Sequence, residues 1–159
     1  MVRPDISFMV GVLAQYMLEP IDSAWQAAVH LLKYLNQTSE YHLELRGMHR
    51  KHTKQPVVMY TDVNWASDPT NRQRSTSGAV TYVYGCPVSW KSHVQKCVAL
   101  LAVEAELVAA SEAAREVLFF SYLLRDLGIT GVKPVLHTDS QGCIQVSKDL
   151  AVMGGMRRS

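Results

Sequence analysis

Residues 56–62 read PVVMYTD, a dense run of β-forming residues that ends in a carboxylate, Asp62. Residues 135–139 read VLHTD and repeat this pattern, with Asp139 at the end of another apolar run. Such runs predict buried strands. Two further strands and a long helical pattern lie between them, and a helix that connects such a meander to the next strand of the sheet places that strand parallel to the first. We therefore expect the two aspartates at the same end of adjacent strands.

The rest of the second half of the chain predicts two further strands and two helices. Residues 64–77 are rich in polar side chains and predict a loop, and Ser140 precedes a helix and can cap it. Gly128 ends a long apolar helical pattern. The predicted order βββαβα describes an α/β fold with a mixed sheet. The remaining predicted elements are strands at 78–84 and 88–90 and helices at 100–127 and 140–148.

The first 45 residues have a different periodicity and predict a helical hairpin that needs a surface to pack on. Pro4 favours a helix start, Pro20 breaks the pattern, and Asp22 or Ser23 can cap a second helix over residues 24–35. The chain is therefore divided into three segments. We expect a helical segment at 1–45 with a short strand at 41–45, an α/β domain at 56–150, and a frayed tail at 151–159.

Composition limits the class of protein. The chain has 159 residues, is 48% hydrophobic and 19% charged, and has a net charge of +2, values typical of a soluble globular protein. No apolar run has membrane-spanning length, and the first residues do not form a signal segment. Cys86, Cys97 and Cys143 are odd in number and lack CxxC spacing, which favours reduced, mostly buried thiols in the cytosol or nucleus.

Asp62, Asp139 and Glu106, which lies early in the long predicted helix, are the candidate site residues. A helix that returns across the sheet can bring Glu106 to the edge where the aspartates lie. Three neighbouring carboxylates repel one another unless a cation neutralises them, and such hard oxygen ligands suit Mg²⁺ or Mn²⁺. Two bound metals in such a cluster support phosphodiester cleavage. The alternative is that each aspartate only ends a strand or caps a helix.

Glu104 competes with Glu106 for the third position. At helical spacing Glu106 shares its stripe with Ala110, Ala113 and Val117, which suit an inward face, whereas the stripe of Glu104 is more polar. We expect Glu106 in the cluster and Glu104 at the surface, where the start of a helix favours an acid.

Basic residues gather in two stretches that could contact phosphates, although a solvated loop is the better explanation of either stretch by itself. One stretch lies at 46–54 and is the expected linker or hairpin loop. The aromatic rings of Trp65 and Trp90 could stack on bases, although core packing is the better expectation for Trp90. We interpret His137 as a packed or hydrogen-bonded residue. The second basic stretch comprises Arg72, Arg74, Lys91, His93 and Lys96.

Five ordered motifs together resemble the ribonuclease H domain of copia-type retrotransposon Pol polyproteins. They are YTDVNWASD at 60–68, RSTSG at 74–78, PVSWKS at 87–92, EAELVA at 104–109 and TDSQ at 138–141. Upstream, RPDI at 3–6, WQAA at 25–28 and LKYL at 32–35 resemble the last helices of the adjoining reverse transcriptase. The likeness covers nearly the whole chain.

The resemblance implies a ribonuclease H-like fold and hydrolysis of the RNA strand of RNA–DNA hybrids with two Mg²⁺ or Mn²⁺ ions. By it, Asp62 would bridge both ions, and Glu106 and Asp139 would complete one site. The hybrid backbone is the expected contact of Arg72, Arg74, Ser75 and Lys91. The implied partners are the hybrid and the rest of the reverse transcriptase polyprotein, with no membrane. The implied location is the cytoplasm, in a virus-like particle, or the nucleus, without secretion.

The sequence also departs from the family pattern. Asn64 replaces a common aspartate, and residues 100–103 are more apolar than usual. The family continues beyond Ser159 into a fifth strand and a final helix with a fourth carboxylate. Without them we expect a weak second metal site and an open edge on the fourth strand through which two copies could pair. In the family the catalytic acids of the polymerase lie upstream of the matched segment, so we expect no DNA synthesis. The alternative function is a catalytically silent, decayed or domesticated module that binds nucleic acid or protein.

Overall fold

A computed structural model of the chain describes residues 3–46, 55–68 and 74–156. The chain forms two compact units, residues 1–45 and residues 46–159. The first unit contains a short 3-10 helix at Pro4–Ile6 and the helices α1 (Ser7–Ala14) and α2 (Asp22–Gln37). The second contains β1 (Val57–Asp68), β2 (Arg74–Val83), β3 (Cys86–Val94), α3 (Ala102–Asp126), β4 (Val135–His137) and α4 (Gln141–Met156).

Arg3 ties the beginning and end of the first unit together. Its guanidinium donates to the Asp5 carboxylate at 2.8 Å and to the hydroxyl of Thr38, just after α2, at 2.7 Å. The hydroxyl of Tyr34, in the last turn of α2, donates to the same carboxylate at 2.9 Å. The two ends of the unit are therefore joined by one charged network rather than by apolar packing alone.

Two local predictions for this unit were wrong. Ile21, and not Asp22 or Ser23, precedes α2, and no side chain caps the start of that helix. Residues 41–46 form no strand. A strand requires a hydrogen-bonded neighbour, and the described part of this unit contains only helices and connecting segments.

The Asp5 network makes a pH-dependent contribution to the stability of the first unit. The hydrogen bond from Arg3 lowers the pKa of Asp5 from 3.8 to about 2. Because the folded-state pKa lies below the unfolded value, this stabilisation is present above pH 3.8 and is lost as the pH falls towards 2. In an acid titration followed by NMR, the signals of Tyr34 and Thr38 should lose their native positions in that range. In an Asp5→Asn variant they should already differ at neutral pH and change little; a native-like, equally titrating variant would contradict this.

The second unit is built on a four-stranded sheet with the order β3-β2-β1-β4. β2 pairs antiparallel with both β1 and β3, whereas β4 pairs parallel with β1. The predicted mixed sheet and element order are confirmed. The predicted loop at 64–77 was wrong for 64–68 and 74–77, because Asn64 pairs with Thr76 and Asp68 with Arg74 in the β1–β2 ladder, whereas 69–73 lie outside the described residues. Backbone pairing along two long strands overrides the low strand propensity of their polar residues.

The core lies between the sheet and α3. Val57 and Met59 of β1 are 0% and 2% exposed and pack with Ala113, Val117 and Leu124 of the helix. The buried positions of α3 also include Ala105 and Ala109, so alanines recur every fourth residue and let the helix approach the strands closely. The stripe expected to face inward was only partly right, because Ala113 and Val117 are buried but Ala110 is half-buried.

The predicted end of α3 and the predicted start of α4 are confirmed, but the predicted end of α4 was wrong. Gly128, at a φ of 80°, follows α3, and its N–H donates to the carbonyl of Arg125 at 2.9 Å. The hydroxyl of Ser140 caps α4 by accepting the N–H of Cys143 at 3.2 Å. α4 continues to Met156, past the predicted end at Lys148, because Ala151, Val152 and Met153 do not interrupt a helix. The predicted frayed tail is thus helical as far as 156, and residues 157–159 lie outside the described residues.

The cysteines are free thiols, with Cys143 buried, Cys86 half-buried and Cys97 exposed. The expectation of mostly buried thiols is therefore met by Cys143, is met in part by Cys86, and was wrong for Cys97. Across the described part of the chain, the structure contains no helix with the length and apolarity needed to cross a membrane.

Candidate metal centre

Two neighbouring parallel strands lead to the two aspartates. In the β1–β4 ladder Tyr60 pairs with His137. Asp62 follows Tyr60 by two residues along β1, and Asp139 follows His137 by two residues, just beyond the end of β4. Both carboxylates are exposed. β1 continues to Asp68, so Asp62 lies inside this strand and not at its end as predicted, whereas Asp139 lies just past the end of β4. The parallel pairing of the two strands still places the two acids beside each other.

Glu106 completes the group from the second turn of α3, which packs across β1. One carboxylate oxygen from each of Asp62, Glu106 and Asp139 lies within 4.8 Å of the other two. The structure thus brings together the three acids that the sequence pattern selected. Their roles as metal ligands and catalytic groups stay a prediction.

The surroundings of Glu106 disfavour its negative charge unless a cation lies nearby. Burial, and then the negative charges of Asp139 and Asp62, raise its pKa above the usual value. Its Oε2 atom is buried and has no hydrogen-bond partner among the residues that the structure describes. A buried carboxylate oxygen left without a partner is costly unless a cation or a donor is supplied. This donor set of carboxylate oxygens fits Mg²⁺ or Mn²⁺.

Glu104 has a separate role, as expected from its place at the helix start. Its carboxylate is exposed and accepts the backbone N–H of Leu100 at 2.8 Å. This contact satisfies a donor just ahead of α3, whose first residue is Ala102. The two glutamates are thus separated by function: Glu104 holds the helix start, and Glu106 joins the acid cluster.

The structure changes the interpretation of the expected nucleic-acid contacts. Ser75 is 0% exposed, and its hydroxyl accepts the N–H of Ala66 at 3.2 Å, so its assignment to a nucleic-acid backbone was wrong. Lys91 forms an ion pair with Glu116 of α3, although its side chain remains 57% exposed. Arg74 is half-buried at the start of β2. Arg72, like most of the basic stretch at 46–54, lies outside the described residues.

Other aromatic and histidine side chains also have defined neighbours. The indole N–H of Trp65 donates to the carbonyl of Ala99 at 3.2 Å, and the ring is 48% exposed. Trp90 is half-buried on β3. The His137 ring stacks on Tyr60 at 4.9 Å but is exposed, so it is packed on one face only. These contacts explain the residues without a bound base.

An open groove with a volume of about 710 Å³ lies between α3 and β1, β2 and β3. Lys91 and Glu116 form an ion pair in it, and His93 contacts Glu112 at 2.9 Å. Burial tends to raise the pKa of Glu116, but the hydrogen bonds from Lys91, Ser89 and Thr81 and the positive charge of Lys91 together outweigh it, so this pKa lies below its usual range. Because charges of both signs are already paired in this groove, its chemistry differs from that of the acid cluster.

One buried polar residue near the cluster, Gln95, was not singled out by any sequence pattern. It follows β3 beside Lys96 in a connection without periodicity, where burial of a polar residue cannot be inferred from its neighbours. It is nevertheless 0% exposed and contacts α3 one residue before Glu106.

Comparison with known proteins gives three informative relatives. The chain is 36% identical over 148 residues to the retrovirus-related Pol polyprotein from transposon TNT 1-94 of Nicotiana tabacum, covering 92% of the chain and 11% of that protein. It is 35% identical over 141 residues to the Pol polyprotein from transposon RE2 of Arabidopsis thaliana, covering 88% and 9%. It is 41% identical over 123 residues to the secreted RxLR effector protein 161 of Plasmopara viticola, covering 77% and 83%.

The chain therefore spans about a tenth of the length of the polyproteins and most of the length of the effector. No family model matches the chain, and no solved structure matches it.

Proposed function

The chain belongs to the retrotransposon Pol polyprotein family, and from that premise we propose that residues 56–150 are a ribonuclease H domain. Its reaction is the hydrolysis of the RNA strand of RNA–DNA hybrids. The observation that carries the proposal is the approach of carboxylate oxygens of Asp62, Glu106 and Asp139 to within 4.8 Å of one another. The mixed sheet and the order βββαβα support a ribonuclease H-like fold.

In this proposal the three acids hold Mg²⁺ or Mn²⁺ at the sheet edge. Two such cations, when bound by carboxylates, activate water and stabilise the leaving oxygen of a phosphodiester. Asp62 and Asp139 are exposed and face the incoming substrate, whereas Glu106 supplies its oxygen from a half-buried position. The helix and the two strands fix these oxygens before substrate arrives, which lowers the cost of assembling the site.

We assign the first unit to the last helices of a reverse transcriptase, so the rest of such a polyprotein is its proposed partner. Large apolar side chains support this assignment, because Trp25 and Leu32 of α2 are 71% and 65% exposed. Exposed apolar side chains in this number mark a surface for packing. In the second unit, Arg72 and Arg74 remain our proposed contacts to the hybrid backbone, and the outer side of the edge strand β4 is the place for an added strand or a second copy.

The test is cleavage of a labelled RNA–DNA hybrid by the purified chain in Mn²⁺, beside a Glu106→Gln variant. Loss of a residue that hydrogen-bonds to a metal ligand lowers activity by about 10- to 100-fold. Loss of the ligand itself, as in Glu106→Gln, should lower hybrid cleavage by more than this. Glu104→Gln is the matched control, because the same substitution two residues away leaves the cluster intact. Equal cleavage by wild type and Glu106→Gln would refute the assignment of the site.

A second candidate function is a catalytically silent binding module. It is favoured by the relative whose name describes a secreted effector, since the chain spans 83% of that protein but only 11% of a Pol polyprotein. A short protein of this lineage therefore carries a name that states no nuclease activity. Absence of hybrid cleavage in the wild-type chain, with Mn²⁺ present in excess, would favour this second candidate.

A further inference from the structure

Gln95 links the sheet to the part of α3 that carries Glu106. We infer that Gln95 is a positioning residue, whose side-chain amide fixes the Glu106 carboxylate in the geometry required for divalent cation binding. This inference rests on the proposed function, because it assigns a role within the same site.

Three hydrogen bonds define the position of Gln95. Its side-chain nitrogen donates to the hydroxyl of Ser77 at 2.9 Å and to the carbonyl of Ala105 at 2.9 Å. Its backbone N–H donates to the carbonyl of Ser75 at 2.7 Å. One residue thus holds two positions of β2 and one position of α3 at the same time. With its side chain 0% exposed, solvent does not compete for these bonds.

The contact with α3 bears directly on Glu106. The carbonyl of Ala105 belongs to the peptide group that joins Ala105 to Glu106, and Ala105 is itself 0% exposed. Holding this peptide fixes the rotation and height of the second turn of the helix relative to β2. Since Asp62 pairs with Gly78 of β2, next to Ser77, the same strand also fixes the position of the first aspartate. Gln95 therefore positions Glu106 relative to β2, the strand that also pairs with Asp62.

The connection that begins at Gln95 has further attachments, and these limit its movement. The indole of Trp65 donates to the carbonyl of Ala99, and the Glu104 carboxylate accepts the N–H of Leu100. These two contacts hold the segment before α3 from outside, whereas Gln95 holds it from the interior. The start of α3 is thus fixed from two sides.

The remaining atom of the amide indicates why stability alone does not explain this residue. The Oε1 atom of Gln95 is buried and has no hydrogen-bond partner among the described residues. A buried acceptor without a partner destabilises a fold, and an apolar side chain of similar volume would avoid that cost. A glutamine at this position is therefore better explained by the geometry it imposes on Glu106.

The test measures Mn²⁺ affinity by calorimetry and hybrid cleavage for the wild-type chain and for Gln95→Met, which keeps the volume and removes both donors. We expect Mn²⁺ affinity about tenfold weaker and a lower kcat, with an unchanged KM for the hybrid. Gln95→Asn, whose side chain is too short to reach both partners, should weaken Mn²⁺ binding in the same direction. It also serves as the test if the methionine variant does not fold.

Thr81→Val is the matched control for a merely structural effect. Thr81 is 0% exposed on the same face of β2, and its hydroxyl lies 3.4 Å from Glu116 rather than near the cluster. It should lower the melting temperature without weakening Mn²⁺ binding. Wild-type Mn²⁺ affinity in both Gln95 variants, or equal weakening in Thr81→Val, would overturn the inference about Gln95 while the nuclease assignment stands. A wild-type chain that neither binds Mn²⁺ nor cleaves the hybrid would overturn the proposed function itself.

Discussion

An Asp62→Asn variant should be more stable than the wild-type chain without metal and should gain nothing from Mn²⁺. Carboxylate charges within 4.8 Å of one another repel by about 1 kcal/mol per pair even at the dielectric constant of water. Removing one charge relieves two of these repulsions and should raise the melting temperature of the metal-free chain by a few degrees, in order of magnitude. The same substitution removes a ligand, so the stabilisation that Mn²⁺ gives the wild type should disappear. Cleavage should fall by more than about 100-fold.

The measurement is thermal unfolding with and without Mn²⁺, together with hybrid cleavage. Asp126→Asn is the control, because Asp126 is an exposed acid at the far end of α3 beside Arg125. It should neither stabilise the metal-free chain nor reduce the effect of Mn²⁺. If Asp62→Asn lowers the melting temperature without metal and still responds to Mn²⁺, the acids are not mutually repelling ligands of one cation.

A Met59→Ala variant should lose a large part of the stability of the second unit. Met59 is 2% exposed at the centre of the contact between β1 and α3, so its removal leaves a cavity that alanines on the helix cannot fill. Such substitutions cost about 2–5 kcal/mol. Denaturant unfolding, followed by the fluorescence of Trp65 and Trp90 in a Trp25→Phe background, should show an earlier midpoint with a similar slope.

Leu100→Ala controls for the loss of a large apolar side chain in the same unit. Leu100 is 81% exposed, so its truncation should change the free energy of unfolding by no more than about 0.5 kcal/mol. Equal losses in Met59→Ala and Leu100→Ala would mean that the core does not lie between β1 and α3.

The acid cluster could be anticipated from sequence because two of its acids follow apolar strand-forming runs and the third lies near the start of a helix. Strand propensity places each aspartate just after an apolar strand-forming run, and the connection through the helix makes β4 parallel to β1, which brings these two positions together. The choice of Glu106 over Glu104 followed from helical spacing, since a rotation of two residues moves a side chain to another face. These inferences use only local periodicity and one rule of chain connection.

The strand boundaries could not be predicted in the same way. The residues from Asn64 to Asp68 have low strand propensity, and they extend β1 because β2 offers them hydrogen-bonding partners. That pairing is a property of two strands together and not of either sequence alone. The same reason explains the false strand at 41–45, where alternation exists but no neighbouring strand lies in the described part of the first unit.

The contacts of the residues around the site could not be predicted from the sequence either. Ser75, expected on a nucleic-acid backbone, is buried because it faces the same side of β2 as Ser77, under the contacts of Gln95. Lys91 faces Glu116, an acid 25 positions away in sequence. Side chains that meet across such distances depend on sheet register and helix rotation, which residue spacing within one element does not fix.

The most direct measurement of the central claim is a titration of the ¹⁵N-labelled wild-type chain with substoichiometric Mn²⁺, observed by NMR. The amide signals around Asp62, Glu106 and Asp139 should broaden first and together, and added Mg²⁺ should restore them by competition. Broadening that starts instead around Glu112 and Glu116, or that affects the aspartates without Glu106, would contradict a single cation site formed by β1, the end of β4 and α3.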